Sequence, residues 1–330
     1  MIMKALLVNN QSDEPVMEFG DFPTPEPNEN ELLVKVKSTA LNRADLLQKK
    51  GKYPVPDGES PIMGLEMSGT VESVGKGVKK YKEGDRVFGL LGGGGYAEYC
   101  TIHEEMALSI PDFMSFEEAA AIPEVFLTAY QALMWLGELN EEETVLIHAG
   151  ASGVGTAAIQ LAKHLKKAQI AVTAGSKEKL DLCRSLGATL QVNYKKQGFA
   201  EKLKEKFGKN NVDLIIDFVG LPYWKDNINS LNMDGRVIYL SMLGGAEVKE
   251  MDLIPILRKR LTIRGSTLRN RSLDYKKKLT KEFWNSTKNL FETEKLAPVI
   301  SAIIDWADVE KAHQMMSKNK NAGKIILNGM

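Results

Sequence analysis

Histidine and cysteine are scarce in this 330-residue chain, which has four of the first and two of the second. Two thiols, Cys100 and Cys183, make no disulfide framework, and a reducing cytosol suits them better. Net charge is missing too. Lys and Arg total 43, Asp and Glu also 43, so the formal charge is zero. No electrostatic case arises for nucleic acid or an anionic membrane surface as partner. No apolar run approaches the ~20 residues of a membrane span. The apolar start MIMKALLV is too short for a signal-peptide core and has no small-residue cleavage site. The expectation is a soluble, cytoplasmic protein. Its 43% hydrophobic and 26% charged residues are ordinary for a globular chain, and its length suggests two domains.

The first ~120 residues read as β-rich. MKALLV (3–8), ELLVKVKSTALN (31–42), MSGTVESVGKGV (67–78), GDRVFGL (84–90) and YAEYCTI (96–102) are strand candidates. Glycine-rich turns between them, and the proline-rich loop PTPEPNENE, suggest a compact barrel-like domain. A helix start is read at Ser115, with Glu117 and Glu118 favouring the positive helix N-terminus. From Thr144 the pattern changes to apolar strands alternating with helices. TVLI (144–147), IAVTAG (170–175), LQVNY (190–194), VDLIIDFVG (212–220), RVIYLS (236–241) and LTIRGST (261–267) are six such strands. Continuous apolar strands indicate a parallel sheet covered on both faces, so the fold class is α/β with a doubly wound dinucleotide domain. After Ser272 come a lysine-rich helix, a β-like stretch (298–304), a helix (307–317) and a last strand, KIILN.

The stretch HAGASGVG (148–155) lies between the first of those strands and a helix of small residues. Gly150, Gly153 and Gly155 let the backbone turn sharply and approach a pyrophosphate. The amides that follow, Val154 among them, meet the anion at a helix N-terminus. A packing turn is the competing reading of glycines alone; the strand before and the helix after favour the cofactor. At the tip of the second strand an NAD site carries an acid for the ribose hydroxyl. Here Ser176, Lys177 and Lys179 stand in its place, with Glu178 as the exception. A hydroxyl and two ammonium groups suit a 2′-phosphate, which favours NADPH over NADH. Phe218, Val219 and Gly220 end the fourth strand, and Ser241, Met242 and Leu243 end the fifth, where open sheets place ligands.

These residues resemble a known family, the quinone oxidoreductase or zeta-crystallin-like branch of the zinc-free medium-chain dehydrogenases/reductases. The likeness covers essentially the whole chain. It is carried by LNRADLLQKKGKYPVP, GLEMSGTVESVGKGV, GDRVFGLLGGGGYAEY, AAAIPEVFLTAYQAL and VLIHAGASGVGTAAIQLAK. Ser152, where many members have glycine, together with LNRADL and NKNAGKIIL, looks most like the stress-induced NADPH quinone oxidoreductase subgroup. The resemblance implies a GroES-like catalytic domain over residues 1–122, a Rossmann NADPH-binding domain over 123–269, and a return to the catalytic domain over 270–330. It implies a homodimer through the sixth strand of the dinucleotide domain. It also carries over Asn42 and Tyr53 as substrate-side residues, Thr128 near the nicotinamide and Tyr194 over the adenosine end. Gly265, Ser266 and Thr267 would flank the nicotinamide. Asn319 and Lys320 lie near a family cofactor contact.

The zinc alcohol dehydrogenases of the same superfamily hold their metal with Cys, a His-Glu pair and Cys. The matching positions here are Asn42, Leu65, Glu66 and Glu124, and no thiolate or imidazole remains, so no zinc is expected. A quinone accepts hydride without a Lewis acid; it needs orientation and protons. The Tyr53 phenol suits a developing oxyanion or a proton relay. The Asn42 amide and the Ser152 hydroxyl are further candidates to orient cofactor or substrate. Each has a plainer reading: Tyr53 as packing against prolines, Asn42 as a turn residue, Ser152 as drift from glycine. NADPH-dependent reduction of small quinones, ortho-quinones above all, is the leading function. Reduction of enones or 2-alkenals on the same scaffold is the alternative, and a non-catalytic nucleotide- or RNA-binding protein is the third.

Overall fold

The computed structural model describes residues 1–9, 15–208, 211–247 and 251–329. The chain forms two compact units, one of Met1–Leu127, Arg269–Glu292 and Ala297–Met330, the other of Thr128–Leu268 with Thr293–Leu296. The sequence places its divisions after residues 122 and 269. The units divide after Leu127 because Phe126, inside the Pro123–Tyr130 helix, packs its ring 5.2 Å from that of Phe291 in the first unit.

In the first unit, strands Ile2–Asn9 and Val16–Pro23 pair antiparallel. A seven-stranded sheet among the described residues runs Ile300–Asp305, Lys324–Asn328, Glu31–Ala40, Glu66–Val74, Arg86–Leu90, Ala107–Ser109, with Tyr99–His103 paired to Glu31–Ala40. Its longest strand, Glu31–Ala40, buries Leu32, Val34, Val36 and Ala40 completely. That period of two is what a sheet with one face on a core requires. The Val16–Pro23 and Ala107–Ser109 strands and the Arg43–Lys49 helix are not among the expected elements. The Val16–Pro23 strand buries only Met17 deeply, so it carries no alternating signal. The helix Arg43–Lys49 begins on Asn42, whose backbone N–H donates to Asp45 Oδ2 at 2.7 Å in a reciprocal capping box. The segment beyond Ser115 is interrupted rather than continuous. One helix spans Phe116–Ala120, a second starts at Pro123, and a π-helical turn, Gln131–Leu136, ends it. Proline lacks the amide that would extend the first helix.

In the second unit six parallel strands lie in the order Leu190–Asn193, Gln169–Ala174, Thr144–Ile147, Val212–Asp217, Leu231–Tyr239, Thr262–Gly265. By chain order that is 3-2-1-4-5-6, the doubly wound arrangement whose direction reverses between the first and fourth strands. Val145, Leu146, Ile147, Ile170, Ala171, Val172, Leu214, Ile215 and Ile216 are all fully buried. Helices Gly153–Lys166, Lys177–Leu186, Phe199–Phe207, Trp224–Ser230 and Ile254–Lys259 connect the strands. The fifth strand begins five residues earlier than the apolar run RVIYLS announces, at Leu231.

Candidate functional site

The glycine turn of the second unit sits at the strand reversal. Ala149 takes a left-handed φ of 49° and Gly150 N–H bonds Thr173 O at 2.9 Å, which swings the chain into the Gly153–Lys166 helix. A Cβ on Gly155 would lie 2.6 Å from both Ala149 O and Gly150 O, so only glycine fits there. Ser152 is the N-cap, and its Oγ accepts from Gly155 N–H at 3.0 Å. That leaves Gly153 and Val154 in the first turn, where helix geometry supplies their amides with no acceptor. The arrangement fits an anionic pyrophosphate.

A buried polar chain, absent from the sequence reading, lies beside the turn. Asn227 Nδ2 donates to Asp217 Oδ2 at 2.7 Å, so its Oδ1 faces His148 Nε2 at 2.8 Å. His148 therefore donates from Nε2, and Nδ1 accepts from the Thr173 hydroxyl at 3.1 Å. Burial holds the imidazole pKa below its ordinary value, in the neutral form this pattern needs. Asp217 Oδ1 takes the Val219 and Gly220 amides, fixing the loop after the fourth strand.

The structure brings several expected cofactor residues together. Leu243 N–H bonds Phe218 O at 3.0 Å and Gly244 N–H bonds Val219 O at 2.8 Å, joining the loops after the fourth and fifth strands. Met242 and Leu243 are exposed there. Ser241 is half-buried beside them, and Gly220 takes a φ of 84°. At the second strand tip, the Tyr194 hydroxyl lies 2.8 Å from where a Gly175 Cβ would stand. Ser176 caps the next helix by accepting from Lys179 N–H at 3.3 Å. The Lys177 ammonium is exposed and pairs with Asp181 at 2.7 Å. After the sixth strand come Gly265, Ser266 and Thr267. Ser266 N–H bonds Tyr239 O at 3.0 Å, and its hydroxyl reaches Gln131 Oε1 at 3.2 Å. Thr128 is half-buried in its helix.

The remaining candidates belong to the first unit. Asn42 is bound at both ends of its amide. Nδ2 donates to Glu66 Oε1 at 2.7 Å, and Oδ1 accepts from Lys324 Nζ at 2.7 Å. Lys324 also donates to Leu41 O and Glu66 Oε1, both at 2.7 Å. Lysine and glutamate side chains are 3% and 0% exposed. The second Glu66 oxygen accepts the Glu124 amide at 2.8 Å. Asn42, Glu66 and Glu124 stand where the resemblance puts metal-ligand positions of the superfamily, and their chemistry does not suit a zinc ion. An ammonium already sits on the Glu66 carboxylate, and neither a thiolate nor an imidazole is among the three residues. Among the described residues no three His, Cys, Asp or Glu side chains are grouped to hold a metal. The ammonium is no substitute Lewis acid either, because its three protons are all spent on Leu41, Asn42 and Glu66.

Glu124 itself is half-buried. Desolvation and then the Glu66 charge push its carboxyl up to about 8, against the opposing charge of Lys324. Burial likewise raises the Tyr53 phenol, with Glu124 adding to the rise. Asp45, buried beneath the helix it caps, accepts from the Tyr96 hydroxyl at 3.1 Å and is raised by desolvation to about 6. Tyr96 in turn meets His313 Nε2 at 3.4 Å. Asn319 Oδ1 accepts from the Arg43 guanidinium at 2.6 Å, and Lys320 is exposed. Lys324, His313 and Arg269 escaped the sequence reading; the only signal was a lone charge at the head of an apolar strand, in GKIIL.

The chain is similar to known proteins over nearly its whole length. Residues 28–112 match the alcohol dehydrogenase GroES-like domain, and residues 153–285 match the zinc-binding dehydrogenase family. A quinone oxidoreductase-like protein 2 homolog from Nematostella vectensis is 30% identical over 97% of this chain and 87% of its own. A mycobacterial protein solved in complex with NADPH superposes with a TM-score of 0.85 at 28% identity, covering 99% of this chain and 100% of that one. The CurK enoyl reductase superposes with a TM-score of 0.84 at 25% identity, over 99% of each chain.

Proposed function

Because the chain belongs to the quinone oxidoreductase family of the medium-chain dehydrogenases/reductases, we propose that it is an NADPH-dependent reductase of small quinones, with ortho-quinones favoured. The observation that carries this reading is the pairing of a built dinucleotide turn with a substrate-side cluster that does not fit a zinc ion. An acceptor reduced there has to be electrophilic already, and a quinone is.

The Gly150–Ser152–Gly155 turn would hold the pyrophosphate, with the Gly153 and Val154 amides facing it. Ser176, Lys177 and Lys179 would hold the 2′-phosphate, since no acid caps the second strand. When bound, the reduced nicotinamide supplies a hydride. The chain's own part is orientation and proton supply. Tyr53 keeps its phenol proton at neutral pH and is able to donate it to an oxyanion. Glu124, raised to about 8, also holds a proton at pH 7. Asn42, tied to Lys324 and Glu66, is a rigid wall rather than a mobile donor. A homodimer would pair the Thr262–Gly265 strands, which lie at the sheet edge. A reducing cytoplasm suits the buried free thiols of Cys100 and Cys183.

The likeness to an enoyl reductase supports a second reading, hydride delivery to an enone or 2-alkenal. Loss of reduced-nicotinamide absorbance, followed with one ortho-quinone, one para-quinone and one small enone, separates the two. Fast NADPH oxidation with a quinone, slower with NADH, is the expected result. Preference for the enone moves the function to alkenal reduction. NADPH binding without turnover on any acceptor leaves a nucleotide-binding protein. Replacing both Lys177 and Lys179 by alanine should weaken NADPH far more than NADH; equal weakening removes the 2′-phosphate assignment.

A further inference from the structure

Lys324 and Arg269 are both buried cations of the first unit, and they differ in what their protons do. Lys324 spends all three on protein oxygens. Arg269, only 4% exposed, does not. Its Nε donates to Gly92 O at 2.8 Å and its Nη1 to Gln48 Oε1 at 2.8 Å. Its Nη2 is buried and has no partner among the described residues. No carboxylate pairs with it within ion-pair distance among those residues, although Asp45, Glu59 and Glu124 act on it from farther off. A guanidinium carries five N–H donors, and burying one with donors unspent and no counter-ion is costly. The guanidinium carbon also stands 5.3 Å from the centre of the Tyr53 ring. Gln48 and Tyr53, its two neighbours, both wall a hollow of about 500 Å³.

Resting on the reductase reading above, we propose that Arg269 is the oxyanion anchor of the substrate subsite: its unspent donors bind the oxygen of a planar conjugated carbonyl compound lying beside Tyr53, and hold the negative charge that oxygen gains on reduction. A quinone that gains a hydride becomes a hydroquinone monoanion, and one proton, such as that of Tyr53 or Glu124 replenished from solvent, completes it. The anion is the form that a fixed guanidinium favours over the neutral quinone, so the contact strengthens as charge develops. Gln48 and Gly92 hold the planar group still, and the Tyr53 face offers both a stacking surface for the ring and a cation–π contact for the arginine.

The test uses 4-nitrophenol, whose anion absorbs visible light, so the bound protonation state is read directly. The full-length protein is titrated with and without oxidised cofactor. Nitrobenzene serves as the neutral ligand of like shape. The wild type should bind the anion in preference to the neutral phenol, lowering the apparent pKa of the bound probe. Arg269→Met should weaken the anion by roughly tenfold or more, as losing a hydrogen bond to a charged group does, and leave nitrobenzene unchanged. Where that variant fails to fold, Arg269→Lys decides, because it keeps the charge and loses the fork: several-fold weaker anion binding supports the anchor, and wild-type affinity overturns it. Equal binding of anion and neutral ligand by the wild type also overturns it. Phenolate binding through Arg269 without NADPH oxidation on any acceptor keeps the anchor and removes the reductase reading. Quinone reduction at wild-type KM and kcat in Arg269→Met does the reverse.

Discussion

Lys324→Met removes one charge from a pair that water does not reach. The methionine side chain is close to lysine in length and apolar, so little volume is lost. What is lost is three 2.7 Å donor contacts, to Leu41 O, Asn42 Oδ1 and Glu66 Oε1. Glu66, at 0% exposure, is then left with the Asn42 amide and the Glu124 N–H as its partners among the described residues. Removing one partner of a buried ion pair costs about 3–5 kcal/mol. The orphaned Leu41 and Asn42 oxygens belong to the same loss and are not added again. At 1.4 kcal/mol per factor of ten, about 4 kcal/mol is nearly a thousandfold in local opening.

Hydrogen exchange of the Lys324–Asn328 and Glu31–Ala40 amides is the suitable assay, because the chain has two units and a single global melt does not isolate one of them. Exchange in these paired strands should accelerate by two to three decades, an order-of-magnitude figure from that same opening energy, while the Thr144–Ile147 strand of the second unit stays protected. Glu66→Gln combined with Lys324→Met removes both charges. The double variant should cost less than the sum of the singles by about 2 kcal/mol, within the range of coupling between residues in contact. A cost under about 1 kcal/mol for Lys324→Met, the range of an exposed pair, would refute a dry ion pair, and strict additivity would refute the coupling.

Three further outcomes follow from the same structure. Burial holds His313 at about 4 against an ordinary 6.5. Its folded pKa lies below the unfolded value, so its contribution is complete above pH 6.5 and is lost as pH falls towards 4. The opening energy read from amide exchange in the Val309–Ser317 helix should therefore differ between the parent chain and His313→Gln by an amount that grows between pH 4 and 6.5, by up to about 3 kcal/mol; a constant difference would mean that the imidazole is solvated. Asp45, raised to about 6, slopes the opposite way in both proteins and cancels in that comparison. Gly155→Ala places a Cβ 2.6 Å from two carbonyl oxygens, which forces a backbone shift costing about 1–3 kcal/mol and weakens NADPH in a fluorescence titration; unchanged affinity would separate the turn from the cofactor. Ile263→Pro, in the edge strand Thr262–Gly265, removes an N–H from the sheet edge and should turn a dimer into a monomer by light scattering, whereas a parent chain that is already monomeric removes the strand-paired dimer.

The dinucleotide unit was legible because its signals are local. Most strands from Thr144 onward are short apolar runs such as TVLI or DLIID, and two of the helices start on a serine cap. Ser152 and Ser176 are those caps, each accepting a backbone amide three residues on. The substrate-side cluster was not legible because nothing local marks it. Glu66 and Lys324 stand 258 residues apart, and either alone reads as an ordinary surface charge. Arg269 finds Gln48 across 221 residues and Gly92 across 177. The short helix after Asn42 had its signal in N-R-A-D, a capping box, but seven residues are too few for a helical period to show.

The same distance in sequence explains why the surroundings of Asn42 could not be read from its neighbours in the chain. Met with alone at the end of a strand, an asparagine is free to orient a ligand. With Lys324 on its oxygen and Glu66 on its nitrogen, its orientation is fixed by the protein itself. The positive charge that fills the place of a metal is thus structural, and its cost is met by three oxygens of the protein itself. A cation whose protons are all satisfied has no reason to prefer a reduced substrate to an oxidised one. Arg269, with Nη2 buried and unmet among the described residues, has that reason, since a ligand oxygen would complete it. If the two roles are divided in this way, Lys324→Met should disturb exchange in its own strands and leave the anion preference of the subsite in place, while Arg269→Met should do the opposite.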